Sequence, residues 1–148
     1  MRILITLLLS LTAATVCADT INHYMNIAEN IPKMEIKADP QSQTWARSAR
    51  NVLTITNETV AETLLQANET AKNQGKPLFC LPATVQLTPK KMGELIEKAY
   101  RDISSQRSDK DQLTVSQIAW IAVTQYYPCQ ASPAANAIGR VMQHVTSS

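Results

Sequence analysis

A chain of 148 residues has room for one domain, and its composition is that of an ordinary folded protein, with 45% hydrophobic and 18% charged residues. Only 3 glycines and 7 prolines are present, which excludes collagen-like and low-complexity chains. The formal net charge is +2, and the longest basic run is the pair Lys90 and Lys91, so we expect no nucleic-acid binding.

The first eighteen residues have the pattern of a secretory signal peptide. Arg2 supplies the positive start, residues 3–11 are almost entirely apolar, and small residues precede a cleavage site after Ala18. Cleavage would give a periplasmic or secreted protein without stable membrane insertion, because an apolar run that ends at Ala18 is at the short limit for a spanning helix. A lipoprotein signal that retains Cys17 is the less favoured alternative, since the preceding Val16 is bulkier than such signals prefer.

The cysteine count predicts one disulfide. Loss of Cys17 with the signal peptide leaves two cysteines, Cys80 and Cys129, and two cysteines in one small exported domain usually pair. We predict no metal site, because these cysteines and the distant His23 and His144 lack the spacing of zinc ligands.

Residues 19–38 show no clean period and contain Pro32, so we expect a loosely structured N-terminal arm with about one helical turn near Tyr24. A helical domain is predicted over residues 39–148. Its helix starts are indicated by a capping residue followed directly by proline, which suits the first helical position. These pairs are Asp39–Pro40, Thr88–Pro89 and Ser132–Pro133.

The first helix of this domain is expected from Pro40 toward Gln74, with Gly75 ending it. The β-branched residues at 54–56 leave open whether this helix is broken there. Its buried face should recur at steps of three or four residues. That face comprises Trp45, Ala49, Val52, Thr56, Val60, Leu64, Ala67 and Ala71.

An apolar stretch at residues 78–87 contains Cys80 and Pro82, and we expect it to be an extended linker buried against the helices. The second helix should follow Pro89 with a regular apolar stripe. That stripe comprises Met92, Leu95, Ile96, Ala99 and Ile103.

The third helix has a strong start signal, because Thr114 and Gln117 match a capping box. It should end before Pro128, and a last helix is expected from Pro133 to about Val145. The predicted fold is therefore a small all-α bundle of four to five helices, with one disulfide closing the hairpin of the second and third helices at its open end.

No group of residues indicates catalysis or a cofactor. His23 and His144 have no evident partner, and Glu94 and Glu97 are helical neighbours on an expected exposed face. The sequence also lacks a glycine-rich phosphate loop and a His-x-x-x-His motif. We therefore predict a protein that is not an enzyme and carries no cofactor.

Two segments match the acceptor pattern for N-glycosylation, Asn57-Glu58-Thr59 and Asn68-Glu69-Thr70. Their spacing of eleven residues returns both asparagines to the same side of a helix. In a bacterial protein these segments would form only a polar face, and the sequence leaves open which case applies.

A charged segment, residues 101–112, is expected to connect the second and third helices. A solvated loop is its simplest interpretation. Held between two disulfide-linked helices, the same loop would be a preorganised projection for a protein partner. The candidate contact residues are Arg101, Gln106, Arg107, Asp109, Lys110 and Asp111.

The sequence Phe79-Cys80-Leu81-Pro82, followed by two amphipathic helices and then Tyr126-Tyr127-Pro128-Cys129, resembles the small periplasmic immunity proteins of the Rap and Tai type. The resemblance covers about the last half of the mature chain. It implies an exported, all-α, disulfide-bearing protein, often dimeric, that binds and neutralises a peptidoglycan amidase effector delivered by type VI secretion. Members commonly carry a second cysteine pair that this chain lacks, and the matching residues are structural.

The leading interpretation is thus a periplasmic protein that neutralises a cell-wall-degrading effector by direct contact. Two alternatives stay open at this point. One is a periplasmic chaperone or stress protein of the HdeA kind, which would bind unfolded clients at low pH. The other is an envelope-associated accessory protein with a structural role.

Overall fold

The computed structural model describes residues 20–103 and 109–129. Over these ranges the chain forms four α-helices and a short 3₁₀ helix at Lys110–Gln112, with no strand. The helices are α1 (Ile21–Glu35), α2 (Pro40–Asn73), α3 (Pro89–Ile103) and α4 (Val115–Tyr126). The all-α class is therefore confirmed. The signal peptide and the last helix expected from Pro133 lie outside the described residues.

The structure differs from the expectation of a loosely structured arm over residues 19–38, because α1 is a helix of fifteen residues. Its buried face consists of Ile21, Tyr24, Met25 and Ile31, which recur with helical spacing. Pro32 removes one backbone hydrogen bond near the end of the helix, and burial of this face outweighs that loss.

α2 is one continuous helix of 34 residues, so the β-branched residues at 54–56 do not break it. Its start is as expected, since the side chain of Asp39 accepts the N–H of Ser42 at 2.8 Å. At Thr54 the hydroxyl donates to the carbonyl of Arg50 at 2.9 Å, so this side chain is accommodated on the helix surface.

The buried face of α2 is rotated relative to the expected one. Trp45 and Val52, expected inside, are 41% and 55% exposed. The buried positions are Ala46, Ala49, Asn57 and Ala61, of which only Ala49 was expected, while the expected Val60 and Leu64 are partly buried against the core. The three alanines are small and allow α1 and α3 to pack closely against α2. The fourth buried residue, Asn57, is polar, so a search for apolar residues alone does not find it.

The α1 and α2 helices form an antiparallel hairpin, as the contacts of Tyr24 with Asn57 and of Glu35 with Arg50 show. α3 packs against α2 and α4. The start of α4 is held beside the start of α1, because the N–H of Ile21 donates to the carbonyl of Leu113 at 2.8 Å.

The expected apolar stripe of α3 is confirmed, with Ile103 partly buried at its end. The capping box of α4 is complete, with the Gln117 N–H donating to Thr114 Oγ1 at 3.2 Å and the Thr114 N–H donating to the Gln117 side chain at 2.8 Å. Both helices contribute to one core with α1, Phe79 and Leu87 of the linker. From α3 and α4 the buried members are Met92, Leu95, Ile96, Ala99, Val115, Ile118, Ala119, Ala122 and Val123.

The predicted disulfide between Cys80 and Cys129 is present. The N–H of Cys80 also donates to the carbonyl of Tyr127 at 2.8 Å. The end of α4 lies beside the C-terminal half of α3, because the hydroxyl of Tyr126 donates to the carboxylate of Asp102. The bond fastens the linker between α2 and α3, where Cys80 was expected, to the residues that follow α4.

Candidate functional site

The charged segment predicted to contact a partner is described only in part, since Gln106 and Arg107 lie outside the described residues. Arg101 is at the end of α3, where its guanidinium lies 3.5 Å from the carboxylate of Glu97. Asp109 is an exposed residue just before the 3₁₀ helix.

The other two candidates of this segment bond to α3. Asp111 accepts the hydroxyl of Tyr100 at 2.7 Å, and the ammonium of Lys110 lies 4.5 Å from the centre of the same ring. The hydrogen bond to Asp111 raises the pKa of Tyr100 to about 12. These contacts fold the 3₁₀ helix back onto α3, so this part of the segment does not project freely.

A second group of contacts joins α3 to α4. The ammonium of Lys98 donates to Asp102 at 2.6 Å and to the hydroxyl of Tyr126 at 3.1 Å. The hydrogen bond with Asp102 raises the pKa of Lys98, and the same bond lowers the pKa of Asp102. All three groups are satisfied by one another, so this cluster holds the helices together rather than offering reactive groups.

A groove of about 710 Å³ lies where α1, α2 and the start of α3 meet. Its apolar wall comes from Ala28 and Ile31 of α1 and Leu53 of α2. Its charged edge carries two cations and two anions, namely Arg50, Lys90, Glu94 and Glu97.

Two buried polar groups line this groove, the side-chain amide of Asn57 and the hydroxyl of Tyr24. Asn57 is 7% exposed and is the only buried polar residue among the described positions. The hydroxyl of Tyr24, itself 1% exposed, donates to Asn57 Oδ1 at 2.9 Å. Burial raises the pKa of Tyr24 to about 12, so this hydroxyl keeps its proton at physiological pH.

In the structure the Asn57 amide is oriented with Oδ1 toward the Tyr24 hydroxyl. With Oδ1 engaged, the Nδ2 of Asn57 has no hydrogen-bond partner among the described residues. Every fully buried polar side-chain atom in the described part of the chain has a partner, so Nδ2 must retain contact with solvent. Since Asn57 lines the groove, that contact is through the groove.

Gly93 of α3 supplies the space above the amide. A Cβ built at this position would lie 2.8 Å from Asn57 Nδ2, which is closer than real Cβ atoms approach. Glycine in a helix interior lowers helix stability by about 1 kcal/mol relative to alanine. At position 93 this loss accompanies the space that the Asn57 side chain requires. A side chain at this position would displace the amide.

The two sequon asparagines both belong to the inner side of α2. Asn68 Oδ1 accepts the N–H groups of Leu78 and Phe79 at 2.8 and 3.1 Å, and so turns the linker back along α2. The prediction that Asn57 and Asn68 share one helix side holds, but that side faces the protein. Asn68 therefore has a structural role in holding the linker, and Asn57 lines the groove.

Beside its buried face, α2 exposes three large apolar side chains, Trp45, Val52 and Ile55. Single exposed apolar residues are ordinary on protein surfaces, whereas three along one helix side form a small patch. This patch and the groove are the two surface features of α2 that the sequence pattern did not predict.

In the described ranges there is no group of three or more His, Cys, Asp and Glu side chains arranged to hold a metal ion. None of the helices described is long and apolar enough to span a membrane. Comparisons with protein-family models, curated proteins and solved structures find no match for this chain.

Proposed function

We propose that the protein is an exported immunity protein that neutralises a cell-wall-degrading effector by direct contact. The observation that carries the proposal is the Cys80–Cys129 disulfide. It joins the Cys-Leu-Pro and Tyr-Pro-Cys segments on which the resemblance to the Rap and Tai immunity proteins rests. A disulfide is typical of proteins outside the reducing cytosol, which agrees with action in the periplasm.

Binding rather than chemistry also suits the arrangement of polar groups. The charged clusters of the described residues are closed ion pairs or hydrogen-bonded sets, such as Lys98 with Asp102 and Arg50 with Glu35. The groove between α1, α2 and α3 contains the amide of Asn57, a group that can recognise a partner but is neither a nucleophile nor a proton acceptor at neutral pH.

The test uses the product of the neighbouring gene, because an immunity protein is normally encoded beside its toxin. That product is directed to the periplasm with and without this protein, and cell survival is measured. We expect protection, together with a purified complex of nanomolar affinity. Absence of both protection and binding would refute the proposal.

The exposed patch of Trp45, Val52 and Ile55 favours a second candidate, a periplasmic chaperone that binds unfolded clients. This function would appear as suppression of aggregation of several unrelated proteins at low pH. Replacing Val52 and Ile55 by serine should then reduce that suppression, whereas protection against an effector should be unaffected.

A further inference from the structure

We propose that the groove between α1, α2 and α3 is the partner-binding site, and that it receives a loop of the partner protein whose carbonyl oxygen accepts a hydrogen bond from Asn57 Nδ2. This inference deepens the proposed function and rests on it for the identity of the partner. It places the contact away from the charged segment at residues 101–112.

The first argument is the unused donor. Nδ2 belongs to a side chain that is only 7% exposed, and it has no partner among the described residues. A donor at the floor of a groove is satisfied best by an acceptor that enters from outside, because leaving it unpaired costs about 1–3 kcal/mol once water is excluded. The ligand atom opposite Asn57 is therefore an oxygen acceptor.

The second argument is the charge of the groove edge. Arg50 and Lys90 are balanced by Glu94 and Glu97, so the groove has no net formal charge. Three of these four groups are also paired with residues outside the groove, Arg50 with Glu35, Glu94 with Lys91 and Glu97 with Arg101. A groove edge whose charges are balanced and mostly paired offers a carboxylate or phosphate no excess of cations, which suits a neutral carbonyl oxygen.

The third argument is the shape and the wall. Several lining residues are themselves exposed, including Pro32, Thr54 and Lys90, so the groove is open rather than enclosed. Small-molecule sites usually enclose most of their ligand, whereas a loop can lie in an open groove. The wall of Ala28, Ile31 and Leu53 then suits an apolar side chain next to the bonded carbonyl.

The decisive variant is Asn57→Asp in the mature, oxidised protein. The aspartate keeps an oxygen that can accept the Tyr24 hydroxyl but replaces the donor with a second acceptor. The matched control is Asn51→Asp, the same change at an exposed position of the same helix. We expect binding to weaken at least about tenfold for Asn57→Asp, equal to about 1.4 kcal/mol, and to change less than about twofold for Asn51→Asp.

A second pair of variants protects the test against misfolding of Asn57→Asp. Thr54 lines the groove and Thr63 does not, and both are exposed threonines whose hydroxyls donate to the carbonyl four residues earlier. Arginine is a better helix former than threonine, so Thr54→Arg and Thr63→Arg should both fold. Only Thr54→Arg should obstruct binding, and circular dichroism verifies the fold of each variant.

Two probes separate this proposal from the proposed function. The first is the purified product of the neighbouring gene, and the second is a phage-displayed library of short random peptides selected on the wild-type protein. If the effector binds the wild type and all variants equally, the immunity function stands and the groove site is wrong. If the effector does not bind, the proposed function fails. The selected peptides then test whether the groove is a binding site.

Peptides that bind the wild type but neither Asn57→Asp nor Thr54→Arg would support the groove as a binding site. Peptides that bind both variants as well as the wild type, or a library without binders, would overturn the proposal. A photocrosslinking residue at position 54 identifies the occupant directly. Crosslinks to the effector or to a selected peptide support the proposal. Crosslinks to a second copy of this chain, or to residues 130–148 of the same chain, overturn it.

Discussion

Single residues at the α1–α2–α3 junction have roles that their neighbours explain. Tyr24 orients the Asn57 amide, and Gly93 leaves the space beside it. From the sequence alone, each of these residues is interpreted locally. Tyr24 belongs to the expected N-terminal arm, Asn57 to a glycosylation sequon, and Gly93 to the second predicted helix. Their joint role arises only because residues 33 and 36 positions apart are brought into contact, which no local pattern specifies.

The variant Tyr24→Phe should lower the free energy of unfolding by about 1–3 kcal/mol, because it leaves the buried Oδ1 of Asn57 without its donor. Chemical denaturation at neutral pH measures this change. The control is Tyr126→Phe, whose exposed bond to Asp102 should contribute less than about 1 kcal/mol. If the two variants lost equal free energies of unfolding, burial would not explain the contribution of the Tyr24 hydrogen bond.

Tyr24 should also make stability depend on pH in the alkaline range. Its pKa is about 12 in the folded protein and 10.0 as the ordinary value, so the folded state holds this proton more tightly. The contribution is complete below pH 10 and is lost as the pH rises toward 12, by at most about 1.4 kcal/mol per pH unit. Denaturation at pH 8 and pH 11 should show a smaller loss for Tyr24→Phe than for wild type.

Part of the alkaline loss should persist in Tyr24→Phe, because the pKa of Tyr100 is also raised to about 12 by its bond to Asp111. Tyr100 is much more accessible to solvent, which screens its contribution. A wild-type protein that became more stable between pH 8 and pH 11 would contradict the sign derived for both tyrosines.

At the scale of helices, the starts of α2, α3 and α4 were predictable because capping is local. Asp39, Thr88 and Thr114 each accept a backbone N–H three residues ahead, as their positions before Pro40, Pro89 and Val115 suggest. These bonds depend on four consecutive residues only, so the chain order alone determines them.

The variant Thr114→Ala should lower the free energy of unfolding by about 1 kcal/mol, because the Gln117 N–H loses its acceptor at the start of α4. Thermal unfolding followed by circular dichroism measures the loss. Thr63→Ala provides the control, since Thr63 lies inside α2 and alanine is the better helix former there. A loss at position 63 as large as that at 114 would argue against the capping contribution.

The helix that the sequence interpretation missed, α1, shows where local signals mislead. Pro32 and the lack of a long regular stripe argued against a helix, yet Thr20 was an available N-cap and Ile21, Tyr24 and Ile31 had helical spacing. The rotated face of α2 has a different origin. Its inner side includes Asn57 and Asn68, and a search for apolar periodicity passes over asparagines that are buried by tertiary partners.

For the whole molecule, the disulfide was predictable on the expectation that Cys17 is removed with a signal peptide, because only Cys80 and Cys129 then remain to pair. Its exact placement was not, since it depends on how the linker packs. Asn68 holds Leu78 and Phe79 against α2, and the next residue, Cys80, then lies beside the end of α4. The groove could not be predicted from the sequence either, because it forms only when α1, α2 and α3 pack together.

Removing the disulfide by the double change Cys80→Ser and Cys129→Ser should lower the free energy of unfolding by about 4 kcal/mol, the entropy of closing a loop with a separation of 49 residues. Urea denaturation of the variant and of the chemically reduced wild type should agree. A loss below about 1 kcal/mol would mean that the unfolded chain is already compact near this loop. Domains have total margins of about 5–15 kcal/mol, so the variant should still fold at 25 °C.

The same bond has a mechanical consequence. Because Cys80 and Cys129 are joined covalently, a pulling force applied to the two ends of the chain passes through the bond and bypasses α3 and α4. Complete unfolding of the oxidised protein should therefore release a contour shorter by about 170 Å than that of the reduced protein, at about 3.5 Å per residue. Under such a load α1 and α2 are stretched out, while α3 and α4 remain inside a closed ring.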